Sequence, residues 1–438
     1  MNRLICAVMA TAVCAAVSAG ANREFTITSC RFAPELQNDQ GVNDLVECGI
    51  DSVSGRRIDM KRLDVFSRHG VGVTACPPAE CYWWGGRKGV SGKMAQLYPV
   101  AKIARWLDTV PDHPVIIAID VGDEPSALDF AHHASIVSYV QNRFREKKVL
   151  VNLYPHYADA ATRTRSEVDS QLGTTTYEEY LHRYCAQYPL DYISFDSYCW
   201  GWNNAPATLF EDLRAVGNAC AGTGRDMVAV LQANRFSERG NVGVELTANM
   251  YRFQAFCALA FGARSICWAC WTEGFWKADC IVRTDGTRTV QFDRLKAANR
   301  EIHRLGDALA PYRRTSTDFV DFDAMSRDGL KGVRQLPVAV SHGAAFADVK
   351  ALDASPLLVG HFVSAKGDGS QAMVLVSCDD PHDKGGRAHT IAFRAVDGVP
   401  HVIASREGGI SLEQGDDGRH KLPLRSNEAA VVVMERKE

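Results

Sequence analysis

The stretch Val115-Ile116-Ile117-Ala118-Ile119-Asp120-Val121-Gly122-Asp123-Glu124-Pro125 decides how this chain is read. Its first seven residues, dominated by β-branched side chains, form a strand. Side chains on a strand alternate between faces. Val115, Ile117, Ile119 and Val121 make one face, apolar throughout and suited to packing against helices. Ile116, Ala118, Asp120, Gly122 and Glu124 make the other, which begins apolar and turns polar toward the C-terminal end. One face of this strand therefore leads to a site.

Outward from it, the same grammar repeats. Strands are expected at Phe25–Cys30, Ile50–Val53 and Val71–Cys76 before it, and at Val149–Tyr154, Tyr192–Tyr198, Met227–Gln232 and Ser265–Trp271 after it. Helical spacing fills the gaps: Leu209, Leu213, Val216 and Cys220 form one stripe, and Leu246, Met250, Phe253, Cys257 and Ala260 a second. Leu295, Ala298, Ile302, Leu305 and Leu309 form a third. Each stripe implies one buried helix face and one wet one. Alternating strands and helices give parallel strands with right-handed crossovers. No strand runs into a Gly-x-Gly-x-x-Gly turn, which removes the usual support for an open nucleotide-binding sheet. The expected fold is α/β, a (β/α)₈ TIM barrel over residues 22–313.

After Pro311 the pattern changes to short strands such as Pro356–Val363, Ala372–Ser377, Thr390–Phe393, His401–Ile403 and Ala429–Met434, separated by Gly- and Asp-rich turns. No helical stripe follows. Residues 314–438 are expected to form a smaller, all-β antiparallel sandwich. At the other end, Asn2-Arg3, the apolar run Leu4 to Val17 and the small residues Ser18 to Ala21 read as an export signal over 1–21. The expected location is secreted or periplasmic, with no stable membrane insertion once the signal is removed.

The formal net charge is −3. This gives no basic footprint for nucleic acid or for an anionic membrane, so neither is an expected partner. Parity along the later strands adds Asn152, Tyr154 and His156 on the fifth, Ser194, Asp196 and Tyr198 on the sixth, and Gln232 and Asn234 on the seventh. Trp271 and Glu273 join them at the eighth. In a barrel of this kind active sites are built at the C-terminal mouth. Acids that move protons, amides that match hydroxyls and flat rings that stack on C–H surfaces, with Trp83 and Trp84 nearby, suit a neutral polyhydroxylated molecule.

Asp120-Val-Gly-Asp123-Glu124-Pro125 at the end of the fourth strand resembles the Asn-Glu-Pro motif of the large clan of barrel glycosidases, with the family 42 β-galactosidase-like barrels as the nearest named relatives. The resemblance implies a carbohydrate substrate, no cofactor and Glu124 as general acid/base. Asp123 stands where that clan has Asn. An Asp-Glu pair here resembles instead the β-N-acetylhexosaminidases, in which the Asp orients the substrate's own acetamido group as nucleophile; strand parity would turn Asp123 away from the pore unless a bulge intervenes. The clan's strand-seven glutamate is replaced by Gln232. Asp196 is the first candidate for the second catalytic group, with Glu273 or a substrate acetamido group as the others. Asp123, Asn152, Tyr154, Tyr198, Gln232, Trp271 and Glu273 are the candidate substrate contacts.

Two other classes compete. A metal-dependent barrel hydrolase needs converging His and Asp ligands, whereas the first strand carries Thr26, Thr28 and Cys30; no metal is expected. A non-catalytic carbohydrate binder would explain the missing strand-seven glutamate. Among the 14 cysteines, Cys267-x-x-Cys270 has redox or zinc spacing, but alternation on a strand sends the two sulfurs to opposite faces, so both are expected as buried small residues. Some disulfides stay open among the cysteines beyond the signal, and no pairing is legible from sequence.

Overall fold

The computed structural model describes residues 24–163, 166–200, 206–238, 241–272, 274, 278–322, 345–382, 386–396 and 398–435. The expected export signal lies outside them. No helix among the described residues is long and apolar enough to cross a membrane.

Eight parallel strands close into a barrel: β1 (Thr26–Cys30), β2 (Ser52–Ser54), β3 (Gly72–Ala75), β4 (Ile116–Asp123), β5 (Lys148–Leu153), β6 (Tyr192–Ser197), β7 (Asp226–Gln232) and β8 (Ala263–Ala269). Closure is made by β1 against β8, in the register Thr26↔Ser265 to Ser29↔Trp268. A side chain joins the backbone in this seam, since the Ser29 hydroxyl donates to Trp268 O at 2.9 Å. All eight expected strands are present. A two-residue hairpin, Ser237–Glu238 with Asn241–Val242, follows β7 outside the barrel.

The helices are α1 (Asp39–Glu47), α2 (Asp64–His69), α3 (Met94–Leu97), α4 (Val100–Leu107), α5 (Phe130–Arg143), α6 (Tyr177–Gln187), α7 (Pro206–Thr223), α8 (Ala248–Ala260) and α9 (Val290–Leu309). Caps start several of them, as Asn38 Oδ1 does by accepting Gly41 N at 3.0 Å. For α8 the expectation of a single buried face is corrected. Every residue from Met250 to Ala260 except Arg252 is fully buried. Its sequence carries no wet face, because Arg252 is its only charge, and that guanidinium pairs with Glu301 at 2.6 Å.

The chain divides into two compact units: residues 1–197, 218–234 and 265–292 in the first, and 198–217, 235–264 and 293–438 in the second. The barrel strands lie in the first, apart from the start of β8. The second holds two antiparallel sheets. One has the order β9 (Tyr312–Val320), β11 (Leu357–Ser364), β12 (Gln371–Ser377), β17 (Ala429–Glu435), β14 (Val399–Ala404). The other runs β10 (Phe346–Ala351), β13 (Ala388–Ala395), β16 (His420–Arg425), β15 (Glu413–Gln414). Leu357, Val359, Met373, Leu375, Phe393, Leu422 and Val432 fill the core between them. β9, β10, β15 and β16 were not among the expected strands. Helix α8 lies against β11, and Gly360 permits the approach: a Cβ there would sit 2.4 Å from Ala260 O.

Candidate active site

The end of β4 carries a bulge. Asp120 pairs with Leu150 and Asp123 with Asn152, so three steps on β4 match two on β5. Gly122, at φ +146°, makes the turn within it, and the Asp120 carboxylate accepts Gly122 N at 3.0 Å. The extra residue resets the alternation, and Asp123 joins Asp120 among the groups of the mouth.

The next residue, Glu124, has a left-handed backbone at φ +52° and donates its N–H to Asn152 O at 2.8 Å. A non-glycine residue in this region is uncommon, and such strain clusters at functional sites. The chain after β3 runs alongside. Asp123 N donates to Trp83 O at 3.0 Å, and Gly85 N to Asp123 O at 2.9 Å. Only glycine fits at 85, since a Cβ would lie 1.6 Å from Glu124 O and 3.1 Å from the Tyr154 hydroxyl. Gly85→Ala should therefore push the 83–85 segment off β4, costing ~1–3 kcal/mol of stability as an overpacked contact does. Denaturant titration beside an activity assay checks this; a variant with unchanged stability and turnover would disprove the close packing.

The side chains then converge. Trp84 is 42% exposed, and its indole N–H donates to Glu124 Oε2 at 2.7 Å. Asn152 Nδ2 donates to both Asp196 Oδ1, at 2.8 Å, and Asp123 Oδ1, at 3.2 Å. The Ser194 hydroxyl donates to Asn152 Oδ1 at 3.0 Å, which fixes which way the amide faces. One amide thus gathers two carboxylates from neighbouring strands. Asp196 is buried, as is Tyr154. The Tyr154 hydroxyl and the Trp271 indole N–H have no protein hydrogen-bond partner among the described residues.

Burial raises all three β4 acids. Glu124 is pushed well above the usual carboxylate range by burial, then by Asp123 and Asp196, against the Trp84 N–H. Asp123 is raised by burial, opposed by the Asn152 amide and by the guanidinium groups of Arg56 and Arg31. Asp120 is pushed up to about 7 by burial and by Asp123. A carboxylic acid whose pKa is raised, with other acids beside it, is suited to deliver a proton to a leaving oxygen.

Other expected residues divide. Gln232 is fully buried, and its Nε2 donates to Asn234 O at 2.9 Å. Asn234 Oδ1 in turn accepts Cys270 N at 2.6 Å. Tyr198 follows β6 and is partly exposed, as His156 is after β5. Glu273 lies outside the described residues. Trp83 is buried, in contrast to Trp84. Arg31 and Arg56 were missed: each lies just past the end of a short strand, β1 or β2, where parity gives no direction.

The reading of Cys267 and Cys270 as pointing to opposite faces is corrected. Both thiols lie within hydrogen-bonding reach of Cys30. β8 ends at Ala269, so strand alternation does not extend to Cys270. Among the described residues no group of three or more His, Cys, Asp or Glu is arranged to hold a metal ion.

No protein-family model matches the chain, and no curated protein does. Solved structures do. A protein described as a glycoside hydrolase is 9% identical, covers 94% of this chain and 92% of its own, and superposes with a TM-score of 0.51. An endo-β-1,3-glucanase from Sorangium cellulosum is 14% identical over 62% of this chain and 98% of its own, with a TM-score of 0.40. A chitinase from Chromobacterium violaceum is 10% identical over 63% and 98%, also at 0.40. Of these three, the first alone superposes well enough to support a likeness, and at 9% identity that likeness is one of fold.

Proposed function

We propose that this chain is an exported glycoside hydrolase that cleaves an O-glycosidic bond in an oligo- or polysaccharide, with residues 22–313 catalytic and 314–438 an accessory sandwich. The observation that carries the reading is the Glu124 carboxyl, half-buried just past the C-terminal end of β4, held by the Trp84 indole N–H and raised by partial burial and then by Asp123 and Asp196. Glycosidic cleavage needs a proton on the bridging oxygen and a second group to meet the oxocarbenium-like carbon. Glu124 supplies the first. Asp196 supplies the second, because Asn152 fixes its carboxylate while Gln232, an amide, cannot take that role. Tyr154, Trp271, Asn152, Tyr198 and Glu273 are assigned to substrate hydroxyls and ring faces.

One observation favours a second version. The β4 bulge places Asp123 on the same Asn152 amide as Asp196, where it could order a 2-acetamido group that attacks the anomeric carbon itself. A panel of aryl glycosides and natural glycans, followed by NMR of the first-formed anomer, separates the two. Activity confined to 2-acetamido sugars and lost in Asp123→Asn supports substrate assistance. Activity on 2-hydroxy sugars lost in Asp196→Asn supports Asp196. Tight sugar binding with no turnover on any substrate would overturn the hydrolase reading in favour of a binder.

A further inference from the structure

The mechanism leaves one group of nucleophiles unused. Cys30 ends β1, and its thiol lies within hydrogen-bonding reach of the thiols of Cys267 and Cys270. The backbone brings Cys30 and Cys270 together, since Cys30 O accepts Trp271 N at 2.8 Å, across the seam between the first and last strands. By contrast, Cys267 is in register with Thr28, two residues short of Cys30. A disulfide needs Cα atoms within ~7 Å. Cys270, whose following residue is hydrogen-bonded to Cys30 O, meets that requirement better than a diagonal partner two residues out of register. Cys30 is partly exposed, whereas Cys270 is 1% exposed.

We propose that Cys30 and Cys270 form a thiol–disulfide exchange site, Cys30 as the attacking thiol and Cys270 as the resolving one, with a small-molecule disulfide as co-reactant. Two thiol hydrogen bonds and the adjacent Arg31 favour the Cys30 thiolate, the nucleophilic form. The thiolate attacks one sulfur of the external disulfide, and the other sulfur leaves as a thiolate. Cys270 loses its proton and attacks the Cys30 sulfur of the mixed disulfide, expelling the second small thiolate. Two protein thiols and one external disulfide become one protein disulfide and two small thiols. Cys267 supplies a hydrogen bond to the Cys30 thiolate and stays reduced.

The test treats the folded, reduced full-length protein with oxidised glutathione, quenches by alkylation and maps cross-linked peptides by mass spectrometry. The expected product is a Cys30–Cys270 peptide pair, two hydrogens lighter than its reduced halves. Cys270→Ser should stop the reaction at a glutathione adduct on Cys30. Cys30→Ser should abolish both products, and Cys267→Ser should slow the cross-link without removing it. Wild-type protein that stays fully reduced at equilibrium while folded, as judged by circular dichroism, would overturn the proposal. So would a Cys30–Cys267 cross-link that forms at the same rate in wild type and Cys270→Ser. These readouts do not depend on glycosidase activity, so they stand or fall separately from the proposed function.

Discussion

Replacing Glu124 with glutamine should cut kcat/KM on glycosides with poor leaving groups by ~10²–10⁴-fold, the range that a lost general acid commonly costs. The substitution keeps the shape of the side chain, and the Trp84 indole N–H can still donate to the remaining amide oxygen. The fold and the ground-state contacts should therefore persist, which isolates the missing proton. Glycosides whose aryl leaving group departs without protonation should lose far less. The pH profile provides a second reading. Burial, Asp123 and Asp196 raise Glu124, so wild-type activity should fall as pH climbs through its elevated pKa, at a higher pH than an ordinary glutamate would give. In Glu124→Gln that alkaline limb should vanish. Equal turnover of poor-leaving-group substrates by the two proteins would rule out Glu124 as the acid.

The barrel was legible because its signal is repeated: eight strands, each with apolar alternation, separated by helical stripes. The site was legible only where alternation continued without interruption. Asp196 and Asn152 lie in regular stretches of β6 and β5, and parity placed them correctly beside each other. Asp123 could be placed only conditionally, because a bulge depends on how neighbouring strands pair and Gly122 alone does not declare one. Cys270 was misread for a related reason: its strand stops one residue earlier, and the Asn234 side chain takes its N–H. Arg31 and Arg56 act on Asp123 from other strands, and no local pattern encodes such proximity. The sandwich strands β10 and β16 were hidden by their composition, since charges interrupt both runs, Asp348 and Lys350 in Phe346–Ala351 and Lys421 and Arg425 in His420–Arg425.

Asp120→Asn should make the protein more stable at alkaline pH, by up to ~4 kcal/mol relative to wild type, as three pKa units of differential protonation imply. The sign follows from linkage. Asp120 rises from 3.8 to about 7 on folding, through burial and the charge of Asp123. Below about pH 4 it is protonated in both states and costs nothing. As pH rises from there to about 7, the unfolded chain releases a proton that the folded chain retains, so stability falls; above about 7 both states are ionised and the loss is complete. Asparagine removes that ionisation yet keeps an oxygen to accept Gly122 N, so the bulge that sets Asp123 should survive. Urea midpoints at about pH 4.5 and about pH 8 measure the effect. The wild type should weaken across that interval, and Asp120→Asn should weaken much less. Parallel curves would mean that Asp120 is ionised at ordinary acidity in the folded protein, and the buried cluster of carboxyls would then lose the electrostatic pressure assigned to Asp123.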